Sequence, residues 1–214
     1  MEPTMDRISM AVSMFDKLAN QYQEKFMDVS KYADTLDIFG NVLPKSNAAV
    51  VELGCGPGNI TRYLLDKFPN LKILATDLAA NMLKLGEINN PEAKFELMDC
   101  RDIGKLKEKY DGVMCGFCLP YLSKEESLEL IESAAKSLND NGVIYISTME
   151  GDYSLSGLAT SSQGDSVYRY FHEEGYLVSA LEKHFNIIKI DRIRYQYGSS
   201  ETVDLILIAT KKSL

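Results

Sequence analysis

The 214-residue sequence contains no tryptophan, two histidines, four cysteines and six prolines. Four cysteines are too few for the disulfide framework of a secreted scaffold. Cys115 and Cys118 form a C-x-x-C pair, but no second pair and no suitably spaced histidine completes a zinc site. Reactive pairs of this kind sit at helix starts, where the dipole lowers the thiol pKa, and this one ends a predicted strand. No metal or redox role is expected. No apolar run is long enough to cross a bilayer, and Met1 to Arg7 lead into no apolar core of signal-peptide length. Basic runs are also missing. With a formal net charge of −8 the chain lacks the basic surface that phosphate backbones require, so nucleic acid is not an expected partner. There are no internal repeats. The expectation is a cytoplasmic chain with no membrane partner. Its 45% hydrophobic and 25% charged residues suffice for one ordinary globular core.

What the chain does contain is an alternation of apolar runs with amphipathic segments. Strands are predicted over residues 49–53, 72–77, 93–97, 110–116 and 142–149, and helices over 60–67, 80–89 and 124–137. Such alternation is the signature of a parallel sheet flanked by helices. Ser123 followed three residues later by Glu126 is a capping box for the third of these helices. Asn139, Asp140, Asn141 and Gly142 read as a turn before the fifth strand. Beyond a helix at 174–183, two β-rich runs, 186–197 and 203–211, flank Gly198-Ser199-Ser200-Glu201, which suits an antiparallel hairpin. Two segments fall outside the alternation. Residues 1–45 carry amphipathic patterns at 12–26 and 32–43 and are predicted to form a helical cap on a core of 46–214. Residues 150–172 are predicted as a polar lid, since a loop of more than about twenty residues in a compact domain is usually functional. Both segments are expected over the carboxyl ends of the strands, where open α/β sheets bind ligands.

The most informative stretch runs from Val50 to Thr61. A β-branched run enters a turn with Gly54, Gly56 and Gly58 at alternate positions, and a helical pattern follows. Glycine takes positive φ without a Cβ clash, and a bare turn ahead of a helix offers backbone N–H groups to a small, partly anionic ligand. A purely structural turn is the plainer alternative, although three alternating glycines exceed what a turn requires. The spacing is G-x-G-x-G, with Asn59 where the dinucleotide fingerprint has its third glycine. Glu52 stands just before the first glycine, where a carboxylate repels a pyrophosphate and suits a cation.

From Val50 to Gly58 the sequence resembles motif I of the class I S-adenosylmethionine-dependent methyltransferases, and the organisation of residues 48–212 is similar to theirs. The resemblance implies an α/β, Rossmann-like, doubly wound seven-stranded sheet, mostly parallel with an antiparallel C-terminal hairpin. It also implies S-adenosyl-L-methionine as cofactor and a small-molecule methyl acceptor. Carried onto this chain, it makes Glu52, Gly54, Cys55, Gly56 and Gly58 cofactor-binding candidates, together with Asp77, Leu78, Met82, Asp99, Cys100 and Phe117. Asp77 would hold ribose hydroxyls, with a helix cap as its alternative role, and Asp99 would meet the adenine amino group unless it is a plain surface acid. Three acids at one sheet edge favour a sulfonium over a pyrophosphate, and all four cysteines are expected at that edge.

In-line transfer from a sulfonium is chiefly a matter of positioning, and a base is needed only if the acceptor must lose a proton. His172 is the candidate base, with lid packing as its alternative, while His184 is read as structural. Tyr22, Tyr121, Tyr153 and His172 are the substrate candidates, and Tyr22 serves equally well as helix packing. Methyltransferases of DNA-base amino groups carry an acid or amide, two prolines and an aromatic after the fourth strand. Cys118, Leu119 and the single Pro120 depart from that pattern, and no acids stand there for metal-assisted catechol chemistry. A nicotinamide-dependent oxidoreductase and a non-catalytic S-adenosylmethionine-binding protein are the two other readings. Oligomeric state is not legible.

Overall fold

The computed structural model describes residues 7–160, 164, 166–197 and 200–213. In chain order the elements are α1 (Arg7–Lys17), α2 (Ala19–Phe26), α3 (Ala33–Val42), β1 (Ala49–Leu53), α4 (Asn59–Lys67), β2 (Lys72–Asp77), α5 (Ala80–Asn89) and β3 (Lys94–Leu97). Next come β4 (Tyr110–Gly116), α6 (Lys124–Ser137), β5 (Leu138–Met149), β6 (Gly157–Thr160), β7 (Ser166–Arg169), α7 (Glu174–Leu181), β8 (Phe185–Tyr197) and β9 (Ser200–Lys211). Seven strands form one sheet in the order β3-β2-β1-β4-β5-β9-β8. β1 to β5 pair in parallel, and β9 inserts antiparallel between β5 and β8. This is the expected doubly wound α/β sheet. Gly198 and Ser199, predicted at the tip of its terminal hairpin, lie outside the described residues.

Alternating side chains sort the core into two layers. Val50, Met114, Tyr145 and Ile206 face α3, α4 and α5, whereas Val51, Leu53, Val113, Ile146 and Leu207 face α6 and α7. Each fully buried aliphatic side chain contributes about 1.5–3 kcal/mol of transfer free energy, so burial on both faces holds the sheet against its helices. At the start of α6 the capping box is complete: the Glu126 N–H donates to Ser123 Oγ at 3.2 Å, and the Ser123 N–H donates to Glu126 Oε2 at 2.8 Å.

The structure departs from the sequence pattern in four places. The stretch at 12–26 is two helices broken at Leu18, whose φ of −100° and ψ of 14° are not helical. Leu36 and Phe39 of α3 are fully buried in the sheet's own layer, so α1 and α2 alone lie over the carboxyl edge. β5 begins at Leu138, paired with Tyr110, and the polar cluster 139–142 is bulged out within the strand, with Asn141 at φ 59°. Lastly, 150–172 contains a 3-10 turn at Tyr153–Leu155 and an antiparallel ribbon, β6 with β7. Four-residue strands are too short to leave a clear alternation, which is why the sequence reads as loop.

Among the described residues, no helix is long and apolar enough to cross a membrane.

Candidate functional site

In register, Leu53 pairs with Thr76 on one side and Cys115 on the other, and Asp77 pairs with Leu97. The strand ends therefore stand level, and the residues following them gather at one edge. β1 lies between β2 and β4, where the order of connections reverses, and such switch points open a crevice beyond the carboxyl ends. A cavity occupies that place. Its floor comes from Gly54, Gly56, Asp77, Met98, Asp99, Cys100 and Phe117, and its roof from Ile8, Ala11, Val12 and Phe15 of α1 with Tyr22 of α2.

Gly56 has φ 55°, and a Cβ there would meet nothing closer than the Tyr22 ring at 3.6 Å. The backbone is therefore bare toward the cavity, as a ligand lying on the turn requires. Gly58 differs. At φ 76° it starts α4, and a Cβ would fall 2.2 Å from Asn90 Nδ2, so this glycine serves packing beneath the turn.

Asp77 is locked at the end of β2. Its Oδ2 accepts from the Gly56 N–H at 2.9 Å and its Oδ1 from the Ala79 N–H at 2.8 Å. Burial raises its pKa, and these backbone bonds oppose the rise. The carboxylate thus pins the glycine turn to β2 and still lines the cavity. Asp99 is held by a partner that the sequence reading missed. Arg101 donates from Nε to Asp99 Oδ1 and Oδ2 at 3.1 and 3.0 Å, from Nη2 to Oδ2 at 2.6 Å, and from Nη1 to Glu126 Oε1 at 2.7 Å. Burial pushes the Asp99 carboxyl up, but the Arg101 bonds outweigh it and hold the group below its ordinary range. Phe117 has φ 57°, a conformation that costs a non-glycine residue about 1–3 kcal/mol. Its N–H donates to both the Ser147 carbonyl and Ser147 Oγ, each at 3.1 Å, which holds the strained turn against the cavity.

Of the residues named from sequence, Gly54, Gly56, Asp77, Leu78, Met82, Asp99, Cys100, Phe117, Tyr22 and Tyr121 line the cavity together. Five do not. Glu52 is buried beneath the turn, its Oε2 accepting from Thr61 Oγ1 at 2.5 Å. Burial drives its pKa up to about 8, so at neutral pH it is mostly uncharged and is not the bare carboxylate expected from its position. Cys55 and Gly58 pack into the layer under the turn. Tyr153 accepts from the Lys124 N–H at 3.2 Å and stacks on Tyr170. Cys115 is also enclosed, inside β4, so Cys100 and Cys118 are the two thiols at the cavity.

His172 needs the largest correction. Its ring is fully buried, Nε2 bonds the Leu119 carbonyl at 2.8 Å, and Nδ1 is engaged by the Tyr176 hydroxyl. Burial lowers its pKa, and the bond to Leu119 opposes that only in part. Its backbone also pairs with Met149 and Gly151. The residue is a clamp: its ring joins the Leu119–Tyr121 turn to α7, its backbone pairs with β5, and neither ring nitrogen faces the cavity. Chain position alone placed it in the lid, and only tertiary packing shows it beneath.

The sequence reading also missed the roof residues Ile8, Val12 and Phe15. Their spacing of four and then three is a helical stripe that the pattern did contain.

A Rossmann-like sheet with β9 reversed, a glycine turn after β1 and acids after β2 and β3 define the class I methyltransferase fold. Residues 50–142 match the family model described as a methyltransferase domain, and that match, with the methyltransferase relatives and solved structures below, supports a class I S-adenosylmethionine-dependent methyltransferase. Trans-aconitate 2-methyltransferase of Variovorax paradoxus is 35% identical over 104 residues, covering 49% of this chain and 39% of that one. Malonyl-[acyl-carrier protein] O-methyltransferase of Anoxybacillus flavithermus is 30% identical over 165 residues, covering 71% and 60%. The chain spans about half the length of the curated relatives it matches. Among solved structures, DhpI in complex with SAH superposes with a TM-score of 0.73 at 17% identity, covering 98% of both chains. The magnesium protoporphyrin IX methyltransferase of Synechocystis with bound SAM gives 0.72 at 16%, covering 99% and 100%.

Proposed function

We propose that this chain binds S-adenosylmethionine in the cavity and transfers its methyl group to a small-molecule acceptor by in-line displacement. The observation that carries this is the bare backbone at Gly56, tied to Asp77 and roofed by α1 and α2. Gly54 and Gly56 would accommodate the amino-acid portion, Asp77 the ribose hydroxyls, and Leu78 and Met82 the adenine faces. Asp99 and Cys100 would stand at the adenine edge. The bound cofactor supplies a methyl group on a cationic sulfur, ready for displacement. The chain's own work is positioning: Phe117 and Tyr121 wall the acceptor side, and Phe15 and Tyr22 exclude water. The name of trans-aconitate 2-methyltransferase supports a small-molecule acceptor, and the net charge of −8 counts against nucleic acid.

Isothermal titration with S-adenosylhomocysteine, with NADH as control, tests the reading. Saturable binding of the former alone is expected, weakened about ten- to hundredfold in Asp77→Ala through lost charge-assisted bonds. Binding of NADH, or of neither ligand, withdraws the proposal. Binding without methyl transfer to any component of a metabolite extract leaves a cofactor-binding protein and refutes the catalytic part.

A further inference from the structure

Among the described residues, Arg169 near the cavity has no carboxylate partner. Arg62, Arg101 and Arg192 each pair with two carboxylates, and Arg7 donates to the Tyr170 hydroxyl. Arg169, at the end of β7, is half-buried, its Nε is closed off from solvent, and it has no hydrogen-bond or ion-pair partner for its side chain among the described residues. This occurs in a chain where Asp and Glu number 31 against 23 Lys and Arg, so carboxylates are not scarce. A partly desolvated guanidinium left unpaired is costly, and a ligand that completes the pair recovers the cost.

The fold puts this charge beside the acceptor wall. The Tyr170 N–H donates to the Pro120 carbonyl at 2.8 Å, which holds the end of β7 against the turn bearing Tyr121. Within β7, Arg169 shares a face with buried Val167, away from the Tyr168 ring that stacks under Arg7. Burial raises the Tyr121 pKa, Tyr22 raises it further, and Arg169 lowers it, so Tyr22 and Arg169 each lie within electrostatic reach of Tyr121. Tyr121 and Tyr22 both line the cavity, each packed edge-on against Phe15, and their hydroxyls have no hydrogen-bond partner among the described residues. Two free phenol donors and a forked cation match a carboxylate, which guanidinium recognises in bidentate fashion.

We propose that Arg169, Tyr121 and Tyr22 form an anion subsite for the methyl acceptor, and that the acceptor is a carboxylic acid methylated on oxygen. This rests on the cofactor reading above. A carboxylate oxygen forms the new carbon–oxygen bond as the methyl–sulfur bond breaks, and that electron pair stays on sulfur. No proton moves, so the step needs no base, in keeping with a His172 turned away from the cavity.

The test is saturation-transfer NMR on the full chain with S-adenosylhomocysteine, using benzoate, hexanoate and 4-phenylbutyrate against their neutral amides. Saturation of at least one acid, with no signal from its amide, is expected. Arg169→Gln should weaken that acid about ten- to hundredfold while S-adenosylhomocysteine binding stays unchanged, and Arg169→Lys should restore part of the loss. Equal binding of acid and amide, no binding of any acid, or an acid signal indifferent to Arg169→Gln overturns the subsite alone. Failure of wild-type protein to bind S-adenosylhomocysteine overturns the cofactor reading beneath it.

Discussion

Replacing Glu52 with glutamine should stabilise this protein, and increasingly so as pH rises. The carboxyl is fully enclosed beside Thr61, and burial lifts its pKa from an ordinary 4.5 to about 8. The native state therefore keeps a proton that the unfolded chain releases above pH 4.5. Wild-type stability from this group is complete at acid pH, declines as pH rises through that window, and levels off above about pH 8. At 1.36 kcal/mol per unit the loss is about 3 kcal/mol by pH 7 and about 5 kcal/mol by pH 9. Glutamine has nearly the shape of the protonated acid and cannot ionise, so the variant should escape the decline. Urea unfolding followed by far-UV circular dichroism at pH 4.5, 7 and 9 measures the difference directly and suits a chain without tryptophan. Variant and wild type should agree at pH 4.5 and then diverge. A difference that is flat with pH, or a variant less stable at pH 7, would refute the argument that Glu52 is buried in its neutral form.

Gly58→Ala should cost about 1–3 kcal/mol, because its φ of 76° and the nearby Asn90 amide leave no room for a methyl; chemical unfolding measures this. His172→Ala should cost about 1–3 kcal/mol by stranding the Leu119 carbonyl, with turnover per folded molecule nearly unchanged. A large fall in turnover at unchanged stability would return His172 to the catalytic list. Because burial lowers the His172 pKa, its contribution should be complete above about pH 6.5 and lost as pH falls below that value. Alkylation mapped by mass spectrometry should modify Cys100 first and be slowed by S-adenosylhomocysteine, with Cys55 and Cys115 protected until unfolding. Rapid modification of Cys115 in folded protein would contradict its enclosure.

Most of the sheet was legible because each strand and helix carries its own period. β1, β2, β4, α5 and α6 start and stop where the apolar pattern does. The capping box at Ser123 was readable for the same reason, since its two partners are three residues apart. The glycine turn and Asp77 were also legible, being local features set at strand ends. Legibility failed where contacts span long separations. Arg101 on Asp99 looks like any surface arginine until Glu126, twenty-five positions on, is brought to its other side. His172 looks like a lid residue until Leu119, fifty-three positions away, takes its Nε2.

The division follows from the range of the forces involved. Hydrophobic periodicity, glycine's access to positive φ and helix capping act within a few residues, so the alternation, the turn and hence the family resemblance are legible in the sequence. Protonation and orientation depend on what closes around a group from remote parts of the chain. Long-range packing is what buries Glu52 and keeps it mostly neutral, makes His172 a clamp, and leaves the Arg169 side chain without a hydrogen-bond partner among the described residues. Desolvation belongs to an enclosure, and no single segment of this chain builds one.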